Sequence, residues 1–131
     1  MNSLPSTVEV LNGLNIALDT KAAAVTSQNA INQKLAEAKT ELVRARNRII
    51  NEYNDTNKHP DGQKELGSNE PTRNAALDSM TQNQKDAVEA LELKLTKAQG
   101  DLSLALVECD RWRYTLRLLE VEAGTRSTVN A

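Results

Sequence analysis

From Thr72 to Ala123 the apolar residues Leu77, Met80, Ala87, Leu91, Leu95, Ala98, Leu102, Ala105, Cys109, Trp112, Leu116 and Leu119 follow one another at steps that are nearly all three or four, with the polar Gln84 filling the one gap of seven. That spacing winds a single apolar stripe along an α-helix, at the a/d positions of a coiled coil. A stripe this long confines the chain to helices packed side by side. Composition points the same way. With no Phe, one Trp and two Tyr among 131 residues, Ala and Leu supply most of the apolar side chains, which suits seams between helices and not a thick globular core.

The N-terminal half repeats the pattern. Residues 1–5 read as a tail, and Ser6 with Glu9 three residues later forms the sequence signature of a capping box. A helix over 6–53 follows, with Gly13 its only breaker, at a cost of about 1 kcal/mol relative to Ala. Its stripe comes in two pieces, Leu11, Leu14, Leu18, Ala22 and Val25, then Ile31, Leu35, Ala38, Leu42, Ala45 and Ile49. The polar patch Ser27, Gln28 and Asn29 between them predicts a local change of register and the weakest part of the seam.

Between 54 and 71 the periodicity stops. Turn and cap residues crowd Asn54 to Gly62 and Gly67 to Pro71, and Leu66 is nearly the only apolar anchor, which predicts a polar loop longer than most bundle connections. The lone His59, beside Pro60, reads as a solvated turn residue and not as a ligand or base. Asn69 or Glu70 would cap a second helix over 72–123, with Pro71 in its first turn and Gly124 as its C-cap, leaving 124–131 as a tail.

Two helices of matching length predict a long antiparallel hairpin. The register that best pairs apolar with apolar sets Ile49 against Met80, Leu42 against Ala87 or Val88, Leu18 against Trp112, Leu14 against Leu116 and Leu11 against Leu119. One set of residues is left over. Leu104, Val107, Tyr114, Leu118 and Val121 form a second stripe turned away from the first, which two helices would leave in water. They are the expected interface with another copy or another protein, assembling the hairpin into a helical bundle.

Chemistry-bearing patterns are scarce. The formal net charge of −2, from 16 basic and 18 acidic residues interspersed, provides no long-range field to attract phosphate backbones. Arg111, Arg113 and Arg117 make a local basic cluster, with Glu108, Asp110 and Glu120 at helical pairing distance and Asp19 expected across the hairpin from Arg111. These arginines, with Trp112 or Tyr114 as stacking surfaces, are the alternative nucleic-acid contacts. Arg44, Arg46 and Arg48 read as a solvated face. Cys109 reads as a small residue of the seam. The sequence has no Gly-rich phosphate loop, no Cys-x-x-Cys and no His-Glu-x-x-His, so no catalytic residues, metal ligands or cofactors are expected. The first residues lack a signal-peptide pattern, and no stretch has the ~20 apolar residues of a membrane span.

Gly67-x-Asn69-x-x-x-Arg73-x-Ala75-x-Leu77, followed by a long Glu/Ala/Leu/Lys-rich helix with an Arg- and Leu-rich end, resembles small coiled-coil proteins encoded in tailed-phage and prophage genomes. In that family the motif marks the passage from loop to helix, and here Pro71 and Thr72 stand where acidic residues are more usual. With the resemblance setting the chain in a phage or prophage and so in the bacterial host cytoplasm, the second stripe leads to the expectation of a non-enzymatic protein that works by protein–protein interaction and self-association. An accessory role in phage DNA recombination or replication, touching single-stranded DNA, is the alternative the resemblance implies.

Overall fold

The computed structural model describes residues 5–130, with side chains as far as Gly124. Of the expected tails, residues 1–4 and 131 therefore lie outside the described residues. The described chain is all-α: α1 spans Thr7–Tyr53, a 3-10 turn spans Gly62–Glu65, α2 spans Glu70–Met80 and α3 spans Gln82–Asn130. Two compact units divide it, one from residues up to Asn29 together with Thr96 onward, the other Ala30–Leu95.

In the first unit the Ser6 hydroxyl accepts the Glu9 amide at 3.2 Å and opens α1. The start of α1 lies against the later part of α3. The Trp112 indole covers Gly13, while Thr20 and Ala24 border a groove with Ala105 and Asp101, so the two helices run antiparallel. In the second unit Arg46 reaches Asp78 and Leu42 lies near Gln82 and Lys85, again antiparallel.

The seam is more regular than the sequence suggests. Along α1 the withdrawn positions include Val10, Leu14, Ala17, Lys21, Ala24, Gln28, Ile31, Leu35, Ala38, Leu42, Ala45 and Ile49, an unbroken alternation of four and three. The expected change of register at 27–29 does not occur, because the polar Lys21 and Gln28 themselves hold seam positions. Leu11, Leu18 and Val25 sit one position later and are exposed at the seam's edge. The partner seam runs Leu77, Thr81, Gln84, Val88, Leu91, Leu95, Ala98, Leu102, Ala105, Cys109, Trp112, Leu116 and Leu119 in the same alternation. Met80 and Ala87 are exposed, and Thr81 and Val88 take their places. The pairing is displaced by about one helical turn from the expected one, since Trp112 meets Gly13 and not Leu18.

The most deeply buried seam positions are mostly small. Val10, Ala17, Ala45, Ala98 and Ala105 are all buried, and alanine at alternate layers lets helix axes approach where leucine would hold them apart. Gly13 is the extreme case: a Cβ there would lie 2.5 Å from the indole Cε2.

The second helix also differs from expectation at three points. It begins at Glu70, where the Asn69 carboxamide accepts the Thr72 amide at 2.9 Å and Pro71 occupies the first turn. It is interrupted at Thr81, whose dihedrals of −109° and 21° depart from the helix. The buried Thr81 hydroxyl donates to the Leu77 carbonyl at 2.7 Å, sharing an acceptor that the Thr81 amide also uses at 3.0 Å. It then continues through Gly124 to Asn130, because Gly124 keeps a negative φ instead of the left-handed turn a C-cap needs.

The connection over 54–69 is held by a network of its own. The Asp55 carboxylate accepts the Asn57 amide at 3.0 Å, Gln63 Nε2 donates to Asn54 Oδ1 at 2.9 Å, and Gly62 turns the chain at φ 61°. His59 is not a solvated turn residue. Its ring stacks on Tyr53 with centroids 3.9 Å apart, shares a 2.6 Å hydrogen bond with Glu65 and lies 3.7 Å from Glu52. The Gly67–Leu77 motif forms one device at the start of α2. Thr72 fills the space where a Gly67 Cβ would stand, Arg73 Nη1 donates to the Gly67 carbonyl at 3.4 Å, and Leu77 is buried.

Candidate interaction surface

The first unit carries the most conspicuous surface feature. Ala17, Ala24 and Ala105 line a shallow open channel between α1 and α3. At one end the channel deepens to a notch of about 210 Å³, lined by Gly13, Ile16, Ala17, Thr20, Ala105, Glu108 and Trp112. Gly13 makes the notch possible by letting the indole lie flat against α1. The indole Nε1 donates to Glu108 Oε1 at 2.9 Å, which fixes the ring as a wall.

Two residues of the second stripe, Leu104 and Val107, line the channel, and Tyr114, Leu118 and Val121 continue the stripe further along α3. Leu104 is 71% exposed, Val107 65%, Tyr114 63%, Val121 61% and Leu118 40%. On the heptad of α3 they occupy the outer c and f positions, so α1 covers none of them. Sequence reasoning missed one contributor. Ile16, on the α1 side of the channel, is 67% exposed, and its signal was the spacing of one residue before Ala17 once the true seam phase is known. Single exposed apolar residues are ordinary, but several on one face beside an open channel form a patch.

The arginines are distributed differently. Arg111 Nη1 lies 3.5 Å from Glu108 and its guanidinium stands 5.5 Å from the Trp112 ring centre, so it pairs along its own helix and not with Asp19. Arg113 lies 3.8 Å from Asp110, and Arg117 is exposed. Two of the three thus have a carboxylate at hand, which lowers their pull on a phosphate chain. Arg46 and Arg48 pair with Asp78 and Glu41. Trp112 is a seam residue, half-buried and committed to Glu108, and Cys109 is a free thiol only 1% exposed.

The second unit carries the one clearly shifted acid. Asp78 accepts from Lys85 at 3.1 Å and from Arg46 at 2.5 Å, and the Lys85 and then the Arg46 hydrogen bond hold its carboxyl below the ordinary 3.8. The arrangement ties α1 to the α2–α3 strand of the seam. Among the described residues no group of three or more His, Cys, Asp or Glu is placed to hold a metal ion, and no helix is long and apolar enough to cross a membrane.

No protein-family model, curated protein or solved structure matches this chain.

Proposed function

We propose that this chain is a non-enzymatic interaction protein that works by self-association, assembling a helical bundle through the face bearing Leu104, Val107, Tyr114, Leu118 and Val121. The observation that carries the reading is the exposure of these five residues on one side of α3, with Leu104 and Val107 lining the open alanine channel, an apolar patch that a helix could cover. Burying one such leucine or valine is worth about 1.5–3 kcal/mol, so a few of them are enough to drive association of a helical pair. The phage or prophage setting, in the bacterial cytoplasm, rests on the resemblance of the Gly67–Leu77 motif. The single-stranded DNA reading has less support, since Glu108 at 3.5 Å from Arg111 and Asp110 at 3.8 Å from Arg113 offset the local positive charge.

Light scattering behind a sizing column tests the reading. Wild type is expected to elute as a dimer or larger at tens of micromolar, and Leu104→Asp as a monomer of unchanged helix content by circular dichroism. A wild type that remains monomeric at that concentration refutes self-association.

A further inference from the structure

We infer that the partner on this face is a second copy of the chain, docked with the two α3 helices antiparallel about a two-fold axis level with Leu106. This deepens the self-association reading above and rests on it. In a two-fold antiparallel pair, a residue of one helix faces the residue equally far from the axis on the other. Leu104 and Glu108 are centred on Leu106, and so are Asp101 and Arg111. One placement therefore satisfies shape and charge together.

Shape comes first. Leu104, 71% exposed, stands level with Glu108 of the copy, at the mouth of the 210 Å³ notch between Ala105 and Trp112. An aliphatic side chain entering a hole bounded by two helices is the knob-into-hole contact of helical bundles. On α1 the same axis passes near Thr20, which borders the channel with Ala105 and Glu108. Ile16 then meets Ala23 and Ala24 of the copy, large against small.

Charge selects the same register. Among the described residues no cation lies within ion-pair distance of Asp101, which borders the far end of the channel. Arg111 is held to Glu108 only at 3.5 Å, and its side chain is 68% exposed. In the docked pair each Asp101 faces the Arg111 of the other copy, twice by symmetry. A guanidinium has donors enough to hold Glu108 of its own chain and Asp101 of the other. A shift of one helical turn either way would separate Asp101 from Arg111.

Charge exchange tests it. Asp101→Lys and Arg111→Glu are made separately, and each is expected to weaken its own homodimer at least about tenfold, because both symmetric pairs become like-charged. Mixed in equal amounts, the two variants are expected to restore a heterodimer near wild-type affinity, since Lys meets Glu in one pair and Arg meets Asp in the other. The doubly exchanged chain is expected to dimerise with itself. Circular dichroism checks that each variant keeps its helix content, and the recovery on mixing shows independently that both chains still fold. A monomeric wild type overturns the proposed function along with this register. A dimeric wild type whose variants fail to recover on mixing overturns the register alone.

Discussion

Gly13 offers the sharpest test of how the two helices of the first unit meet. In an exposed helix interior, Gly→Ala should stabilise by about 1 kcal/mol, because alanine loses less backbone freedom on folding. Here the added Cβ would fall 2.5 Å from Cε2 and 2.6 Å from Cζ2 of Trp112, well inside contact distance. The indole cannot swing aside freely, being half-buried in the seam and hydrogen-bonded to Glu108 at 2.9 Å. Overpacking of this kind costs about 1–3 kcal/mol. The clash outweighs the propensity gain, and Gly13→Ala should lose about 1 kcal/mol net, or roughly 3–5 °C in Tm for a chain of this length.

Removing the obstacle should reverse the sign. In a Trp112→Leu background the Cβ meets no ring, so the same Gly13→Ala change should gain about 1 kcal/mol. The coupling between the two sites is then about 2 kcal/mol, far above the ~0.5 kcal/mol at which independent sites add. Urea and thermal unfolding by circular dichroism, at one low protein concentration so that assembly does not shift the midpoint, give all four corners of the cycle. Gly13→Ala stabilising both backgrounds equally would refute the close approach of the indole to α1, and with it the register of the first unit.

Three further outcomes follow from local geometry. Gly100 has nothing within 4 Å of the place its Cβ would take, so Gly100→Ala should stabilise by up to about 1 kcal/mol, read as a raised urea midpoint with unchanged slope. Asp78, whose folded-state pKa is depressed, stabilises the second unit above its unfolded value near 3.8; that contribution should fade as pH falls below this, and Asp78→Asn should flatten the fall in Tm between about pH 4 and 2. Thr81→Val should be neutral or stabilising by up to about 1 kcal/mol, because the Leu77 carbonyl keeps the backbone amide at 3.0 Å when the hydroxyl is gone.

Helicity was legible in the sequence because periodicity survives any choice of phase, whereas register did not survive the choice that was made. Following the larger residue at each step led to Leu11, Leu18 and Val25, and the structure buries Val10, Ala17 and Ala24 more deeply. A one-residue error turns the seam by about 100° on a helical wheel, enough to exchange core for edge. The second stripe of α3 was legible for the opposite reason: its distance from Ala105, Cys109 and Trp112 around the wheel holds whichever neighbour α1 presents. The loop stayed opaque because its order comes from contacts distant in sequence, such as Gln63 with Asn54 and His59 with Tyr53 and Glu65, and no periodicity announces these.

The polar residues show what would have corrected the phase. Lys21, Gln28, Thr81 and Gln84 all hold seam positions, although the spacing alone places only Gln84 in the stripe, sets Gln28 in a break and passes over Lys21 and Thr81. Each has a way of occupying such a position without a buried unmet polar atom, and among the described residues no buried side-chain N or O lacks a partner. Thr81 returns its hydroxyl to Leu77, and Lys21, Gln28 and Gln84 are only partly covered, so a long side chain can lay its methylenes on the seam and keep its polar end in water. A seam that tolerates these residues depends on its alanines for closeness, and closeness is what leaves the channel over Ala17, Ala24 and Ala105 unfilled. The same small side chains that let two helices of one chain approach therefore leave an open apolar channel beside them.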